Sequence, residues 1–382
     1  MLDICIIGGG AAGLAAAITA GRETPDKSIL IIEKKETVGK KLAATGNGKC
    51  NLTNTSCENM DSVLEFFDSI GIFTRADEEG RVYPYCSQAK DVVYALNKAA
   101  EAAGVDIRTG ITVEKIVKTA DGFNIKTNKG DFESVKLLIA TGGKSAPQFG
   151  TSGDGYIFAK QLGHTVTRLA PVLTGIEVME DLKSVKGVRV KALVKLLKDG
   201  QTAEKEYGEV QFNEDGISGI CVMNLSRFIK IDEGESFIEG IRRYSVELDL
   251  VPEVETEELE IMLQRRIDAG IGNTEDLLIS IIPDKLRKYI ADEQELGLSE
   301  LTERLKSMKL SVSGTKGWKV AQCTSGGVTL DEIDAVTMES KLIDGLYFAG
   351  EVTDYDGPCG GYNLQYAWET GIKAGKAMAN DL

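Results

Sequence analysis

Histidine is nearly missing from this chain: one residue, His164, among 382. Such scarcity argues against a histidine-based nucleophilic triad, a multi-histidine metal site and most histidine acid–base schemes. No metal is expected. Cysteine pairs are missing too: the seven cysteines, at 5, 50, 57, 86, 221, 323 and 359, form no CxxC or CxxxxC spacing. Neither a redox-active disulfide nor a zinc knuckle is signalled, and Cys5, inside an apolar run, reads as packing. Positive charge is in deficit, with 44 Lys and Arg against 59 Asp and Glu, a net charge of −15 and no long basic run. That balance disfavours nucleic acid and anionic membrane as partners. No apolar stretch approaches a membrane span, and the N-terminus lacks the charged lead-in and cleavage site of a signal peptide, so a cytoplasmic protein is expected. Aromatics make up 6% and hydrophobic residues 42%. This is the composition of a globular protein, and the length calls for two or three domains.

Glycine is plentiful, and the first forty residues show why. Asp3-Ile4-Cys5-Ile6-Ile7 reads as a short buried strand, Gly8 to Gly13 as a tight turn, Leu14 to Ala20 as an alanine-rich helix, and Ser28 to Glu33 as a second strand. This is a βαβ dinucleotide-binding fingerprint. Gly8 permits the turn, Gly10 lets backbone approach a pyrophosphate, and Gly13 lets helix and strand pack closely; the pyrophosphate then sits on the helix N-terminus. Glu33, twenty residues after Gly13, can accept hydrogen bonds from a ribose 2′-hydroxyl and would repel a 2′-phosphate. The motif alone leaves FAD and NAD both open.

A polar, glycine-rich stretch from Val38 to Asn54 follows, too long for a simple connection. Its glycines allow amides to converge on an anion or a ring edge, and Lys40, Lys41 and Lys49 add positive charge. Helices are expected over 60–70 and 88–103, with a hairpin-like Phe73 to Cys86 between them. There Tyr83 and Tyr85 either line a substrate pocket or cover an edge. Strands are expected over 105–118 and 122–127, then a buried strand from Val135 to Gly143 that ends in Thr141, Gly142 and Gly143, where backbone can approach a nucleotide. His164 follows a helix and reads as a packing residue.

From Val166 to Pro252 short alternating strands suggest an antiparallel sheet or small barrel, and 253–308 is helical, with Ser299 an N-cap. A strand pattern returns over Leu310 to Val328, and Leu346 to Glu351 leads through Gly357-Pro358-Cys359-Gly360-Gly361-Tyr362-Asn363 into a helix whose Ala367, Gly371, Ala374 and Gly375 are placed for close packing. A second strand–glycine–helix unit at the C-terminus makes the nucleotide domain discontinuous. Its helix N-terminus can aim amides at a developing anion.

VGKKLAATGNGKCNLTN, LLIATGGKSAP, TSGDGY, EVQFNEDGISG and above all GLYFAGEVTDYDGPCGGYNLQYAWETG resemble the HI0933-like (BaiN/RdsA, aminoacetone oxidase-like) flavoproteins. The resemblance implies FAD rather than NAD, and an α/β fold: a discontinuous Rossmann-like FAD-binding domain (1–165 and 329–382), a β-rich, barrel-like insert (166–252 and 309–328) and a small helical cap (253–308). By matching positions Glu33 would hold the adenosine ribose, Gly8 to Gly13 the pyrophosphate, Val113 the adenine side, and the Lys41 to Asn51 loop the pyrophosphate and flavin. Gly350, Glu351 and Gly361 to Asn363 would meet the ribityl chain and flavin edge. The expected cofactor set is completed by Ala12, Lys34, Thr45, Gly46, Asn47, Gly48, Asn51, Thr141, Gly142 and Tyr362. Lys49 departs from the family, which commonly has Arg there; a bidentate contact becomes a point charge.

Substrate-side candidates are Tyr83, Tyr85, Tyr355, Asp356 and Cys359, and the catalytic residue stays unassigned. With no second GxGxxG, NADH or NADPH would act as a transient donor over the flavin. The resemblance implies either an FAD-dependent reductase of a small or steroid-like enone or ketone, or an aminoacetone-like amine oxidase that passes electrons to oxygen. A flavin-dependent RNA-modifying protein is the third reading, disfavoured by the acidic balance.

Overall fold

The computed structural model describes residues 1–232, 234–291 and 296–380. The chain divides into two compact units, Met1–Ala170 with Gln322–Leu382, and Pro171–Ala321. Among the described residues no helix is long and apolar enough to cross a membrane. All seven cysteines are free thiols.

The first unit is built on a seven-stranded sheet. Leu2–Ile7 and Ile29–Ile32 are apolar runs without alternation, the pattern of parallel strands covered on both faces. They pair in parallel, Ile4 opposite Ile29 and Ile7 opposite Ile32, and Leu2–Ile7 pairs on its other side with Phe132–Ile139. That long strand changes neighbours along its length. Its start meets Phe123–Thr127 antiparallel, and its end meets Leu346–Phe348 in parallel, which returns the C-terminal segment to the N-terminal sheet.

The helix Ala11–Glu23 begins three residues before the expected Leu14, because Gly10 in an extended conformation already caps it and Ala11 and Ala12 are good helix formers. The single strand expected over 105–118 is two. Asp106–Arg108 joins the parallel edge beside Ile29–Ile32, whereas Val113–Lys118 forms a hairpin with Phe123–Thr127. Gly110, at φ 65°, makes the break, and its amide donates to Lys35 O. The expected long loop after Val38 also holds order: Lys40–Ala44 is a short helix, followed by a tight turn over Thr45–Gly48, and Thr53–Asn54 pairs with Arg81–Pro84.

Tyr362–Asn380 packs along the first helix. A Cβ on Gly371 would run into Ala12 O, and one on Gly375 would lie 2.5 Å from Ala16 O. Both glycines therefore let two backbones touch, as their spacing implied.

In the second unit six strands close an antiparallel barrel in the order Ile176–Val178, Gly216–Ser218, Gln201–Phe212, Arg189–Lys198, Tyr244–Asp249, Met308–Thr315. Four helices, Thr256–Asp268, Thr274–Leu277, Asp284–Ala291 and Leu298–Lys306, fill most of the stretch expected to be helical; residues 292–295 of that stretch lie outside the described residues. Barrel and helices share one apolar core, in which Val194, Val246 and Leu310 join Leu259, Leu263 and Leu301. Gly297, not Ser299, caps the last of these helices. The strand pattern expected over Leu310–Val328 resolves into Met308–Thr315 in the barrel and Cys323–Ser325, which belongs to the first unit.

Candidate active site

The glycine turn is fixed by close backbone contacts. Gly8 sits at φ 109°, and a Cβ there would strike the Ala140 carbonyl oxygen. A Cβ on Gly13 would strike Gly8 O, whereas one on Gly10 would meet nothing within 4 Å. Two glycines are thus required by the chain itself, and Gly10 leaves open space at the helix N-terminus, where an anion is favoured. Ala12 is buried just behind it, 3.1 Å from where a Gly350 Cβ would lie.

Glu33 follows the second strand. Its carboxylate accepts from the amides of Gly9 (2.9 Å) and Lys35 (2.8 Å), so it is oriented before any hydroxyl approaches. Ile111 donates its amide to Glu33 O, two residues before the strand that starts at Val113. Lys34 turns the other way: its ammonium pairs with Asp154 at 2.5 Å and also donates to Ser152. Thr141 and Gly142 lie beyond the end of Phe132–Ile139, where Gly155 leaves room for the Thr141 hydroxyl.

The turn at 45–50 keeps its backbone open. Gly46, Asn47 and Gly48 all have positive φ (57°, 54° and 83°) and are exposed. Asn51 then dips inward, and its buried Oδ1 has no hydrogen-bond partner. The site at Gly361 explains its proximity to the last helix: a Cβ on Gly361, at φ 108°, would strike Thr53 O and come within 2.9 Å of Asn51 Oδ1. Trp368 Nε1 donates to Leu52 O, and Asn54 Nδ2 donates to Gly360 O. Segments three hundred residues apart in sequence are laced together here.

Lys41 and Glu351 meet directly, Nζ to Oε2 at 2.6 Å, both side chains mostly buried. Tyr156 donates its hydroxyl to Glu351 O, and burial, reinforced by the nearby Glu351 carboxylate, pushes its phenol well above the ordinary value. Asn363 spends its side chain on the loop before it, accepting from Gly357 N and donating to Gly357 O. Tyr362 and Asn363 therefore offer the site their position at the start of the helix.

The substrate-side candidates divide. Tyr83 lies beside the 45–50 turn, its Cε1 3.7 Å from a Gly46 Cβ position. Tyr85 does not: it is 65% exposed, with Arg75 over its ring. A strand's pleat would keep residues 83 and 85 on one face, but Tyr85 lies past the end of Arg81–Pro84. Tyr355 is stacked on Tyr366 at 3.9 Å, and Asp356 and Cys359 are half-buried in the loop leading to the last helix. Cys323, Thr324 and Tyr156 also belong to this neighbourhood and were not singled out by sequence. TSGDGY contained Tyr156, but only the fold showed that its hydroxyl reaches Glu351.

His164 lies apart from these residues. It is buried, with Nδ1 2.9 Å from Glu332 and Nε2 2.9 Å from the Ser340 hydroxyl. Its ring packs edge-on against Phe348.

An open-backed glycine turn, an oriented acid after the second strand and a second helix N-terminus are features of a Rossmann-type dinucleotide-binding protein, and the family match and the reductase relative that follow make it a flavoprotein oxidoreductase. The chain belongs to the HI0933-like protein Rossmann domain family, which matches residues 2–65 and 58–377. It is 36% identical to a 3-dehydro-bile acid delta(4,6)-reductase of Clostridium scindens, over 99% of each chain. It is 29% identical to a ribosomal RNA dihydrouridine synthase of Escherichia coli, over 96% of each. Among solved structures an Escherichia coli quinol fumarate reductase FrdA aligns with a TM-score of 0.51 at 14% identity, covering 99% of this chain and 70% of that one, a likeness of fold.

Proposed function

We propose that the protein is an FAD-dependent reductase that draws electrons from NADH or NADPH and delivers hydride through flavin N5 to a small or steroid-like enone or ketone. The observation that carries the choice of substrate class is the full-length similarity to the bile-acid reductase. Fit to FAD is supported by the open space at Gly10, the exposed amides of 46–48 and the unpartnered Asn51 Oδ1, an acceptor in search of a donor.

In this reading the Gly8–Gly13 turn holds the pyrophosphate, Glu33 the adenosine ribose, and Val113 the adenine side. Lys41, Thr45, Gly46, Asn47, Gly48 and Asn51 serve the pyrophosphate and flavin, Thr141 and Gly142 let backbone approach the nucleotide, and Gly350 and Glu351 meet the ribityl chain. Lys34 acts through its pairing with Asp154, which ties the strand end to the 152–154 turn. FAD, when bound, supplies a hydride-carrying N5 and places negative charge near N1 and the C2 carbonyl. Amides at Gly361 to Asn363, at the positive end of a long helix, stabilise that charge. Tyr83, Tyr355, Asp356 and Cys359 remain the residues from which the substrate side is built.

The rRNA-acting relative supports a second reading, in which the acceptor is a pyrimidine in RNA. A net charge of −15 weighs against it, because affinity for RNA rests largely on neutralising phosphates. Seven free thiols suit a reducing cytoplasm.

The test is anaerobic. Flavin absorbance is followed while NADH, NADPH and aminoacetone are added to separate samples, then a 3-keto-4-ene steroid is added to the reduced enzyme. Bleaching by a nicotinamide and recovery with the enone support the reductase. Bleaching by aminoacetone alone, with peroxide formed on admitting air, would replace it with an amine oxidase.

A further inference from the structure

Next to the residues the sequence singles out lies a buried polar knot centred on Thr324. This residue, fully buried on the short strand Cys323–Ser325, sits where the chain has just re-entered the first unit. Its hydroxyl accepts from the amides of Lys144 (2.8 Å) and Ser145 (3.0 Å). The Ser145 hydroxyl in turn donates to Cys323 O at 2.6 Å, so the 144–145 loop is fastened to the strand at two points. From the strand's other side the amide of Thr324 donates to Glu351 Oε1 at 2.9 Å. Glu351 Oε2 receives the Lys41 ammonium at 2.6 Å.

The order of dependence follows from these bonds. Lys41 is a flexible four-carbon stem held by one carboxylate. That carboxylate accepts from one amide, and the residue that carries this amide is held in place by a hydroxyl that accepts from two backbone donors of the 144–145 loop. Gly143 closes the knot from beneath: a Cβ there would lie 2.5 Å from both Glu351 Oε1 and Thr324 Oγ1.

We propose that Thr324 is a positioning residue of the flavin site: through Glu351 it sets where the Lys41 charge stands and how far that charge is neutralised. The inference rests on the FAD reading given above. An ammonium released from its carboxylate stabilises added negative charge nearby, so it makes a neighbouring redox centre easier to reduce.

The test compares Thr324→Val, Thr324→Ser, Glu351→Gln and Lys41→Met in the full chain, reading FAD dissociation by flavin fluorescence and the midpoint potential by dye equilibration. Thr324→Val should weaken FAD about tenfold, roughly the worth of one hydrogen bond, and move the potential positive. Glu351→Gln should move it the same way and Lys41→Met the opposite way. Thr324→Ser keeps the acceptor and should restore both quantities. In the Lys41→Met background Thr324→Val should no longer move the potential, an outcome that a purely structural role for Thr324 would not produce. Should Thr324→Val fail to accumulate as folded protein, Gly143→Ala, which presses on the same two oxygens, carries the same expectation. Wild-type potential and affinity in whichever of these two variants folds would overturn the inference. A wild-type protein that binds no FAD would instead sink the proposed function.

Discussion

His164 shows how a single buried titratable group sets a pH limit on the fold. Desolvation holds its pKa below the ordinary value, outweighing the pull of Glu332. Burial works to raise Glu332, but hydrogen bonds from Thr165 and His164 bring it below its usual range. A histidine depressed in the fold stabilises it fully above the unfolded pKa of about 6.5, and that contribution is lost as pH falls toward the folded value. Glu332 acts at lower pH, below about 4.3. Melting temperature should therefore drop between pH 7 and pH 5, and His164→Asn should flatten that slope even though it lowers the plateau. A parallel slope in the variant would remove His164 as its source. Gly361 poses a different constraint. Its positive φ and the Thr53 carbonyl against it mean that Gly361→Ala should cost about 1–3 kcal/mol. Flavin loading should fall with it, measured as the A450 to A280 ratio of purified protein; an unchanged ratio would detach this residue from the cofactor.

The decisive element is the pair formed by the first and last helices. Ala12 and Ala16 on one face Gly371 and Gly375 on the other so closely that a side chain on either glycine meets backbone oxygen. Overpacking such a contact typically costs about 1–3 kcal/mol. Gly371→Leu should lower the melting temperature. Because Ala12 is itself part of the Gly8–Gly13 segment, the variant should lose FAD at a lower temperature than the wild type, read by the rise in free-flavin fluorescence. Melting at the wild-type temperature would mean that the helices can part without cost. Elements at the ends of the chain thus make one site because small residues let them touch.

At the scale of the whole molecule, the second unit is a continuous segment with its own core and a barrel without free edges. A fragment spanning 171–321 should fold alone, with a cooperative thermal transition followed by circular dichroism. A broad, non-cooperative loss of signal would show that it depends on the rest of the chain. The first unit is discontinuous, so its strand Leu346–Phe348 must find Phe132–Ile139 across the insert. Net charge also belongs to this scale. At −15 the protein should not shift a structured RNA in a gel at low salt; a salt-sensitive shift would revive the RNA reading.

What the sequence determined by itself is what local chemistry dictates. A run such as Ile29–Ile32 must be buried on both faces, Gly8 and Gly13 must make a turn and a close contact, and Glu33 must stand where the strand gives out. Long motifs carried the family, and with it the α/β fold and its barrel-like insert. Breaks were harder to read, as at Gly110, because one glycine between two strands does not say which neighbours each half will find. Tertiary structure alone decided which residues share the site. Lys41 and Glu351, Trp368 and Leu52, Thr324 and Lys144 are pairs separated by 310, 316 and 180 residues. Such pairings depend on side-chain direction and sheet order, which no period in the sequence encodes. Tyr83 and Tyr85 share a hairpin, yet Tyr83 lies beside the 45–50 turn whereas Tyr85, past the end of the strand, stands in solvent.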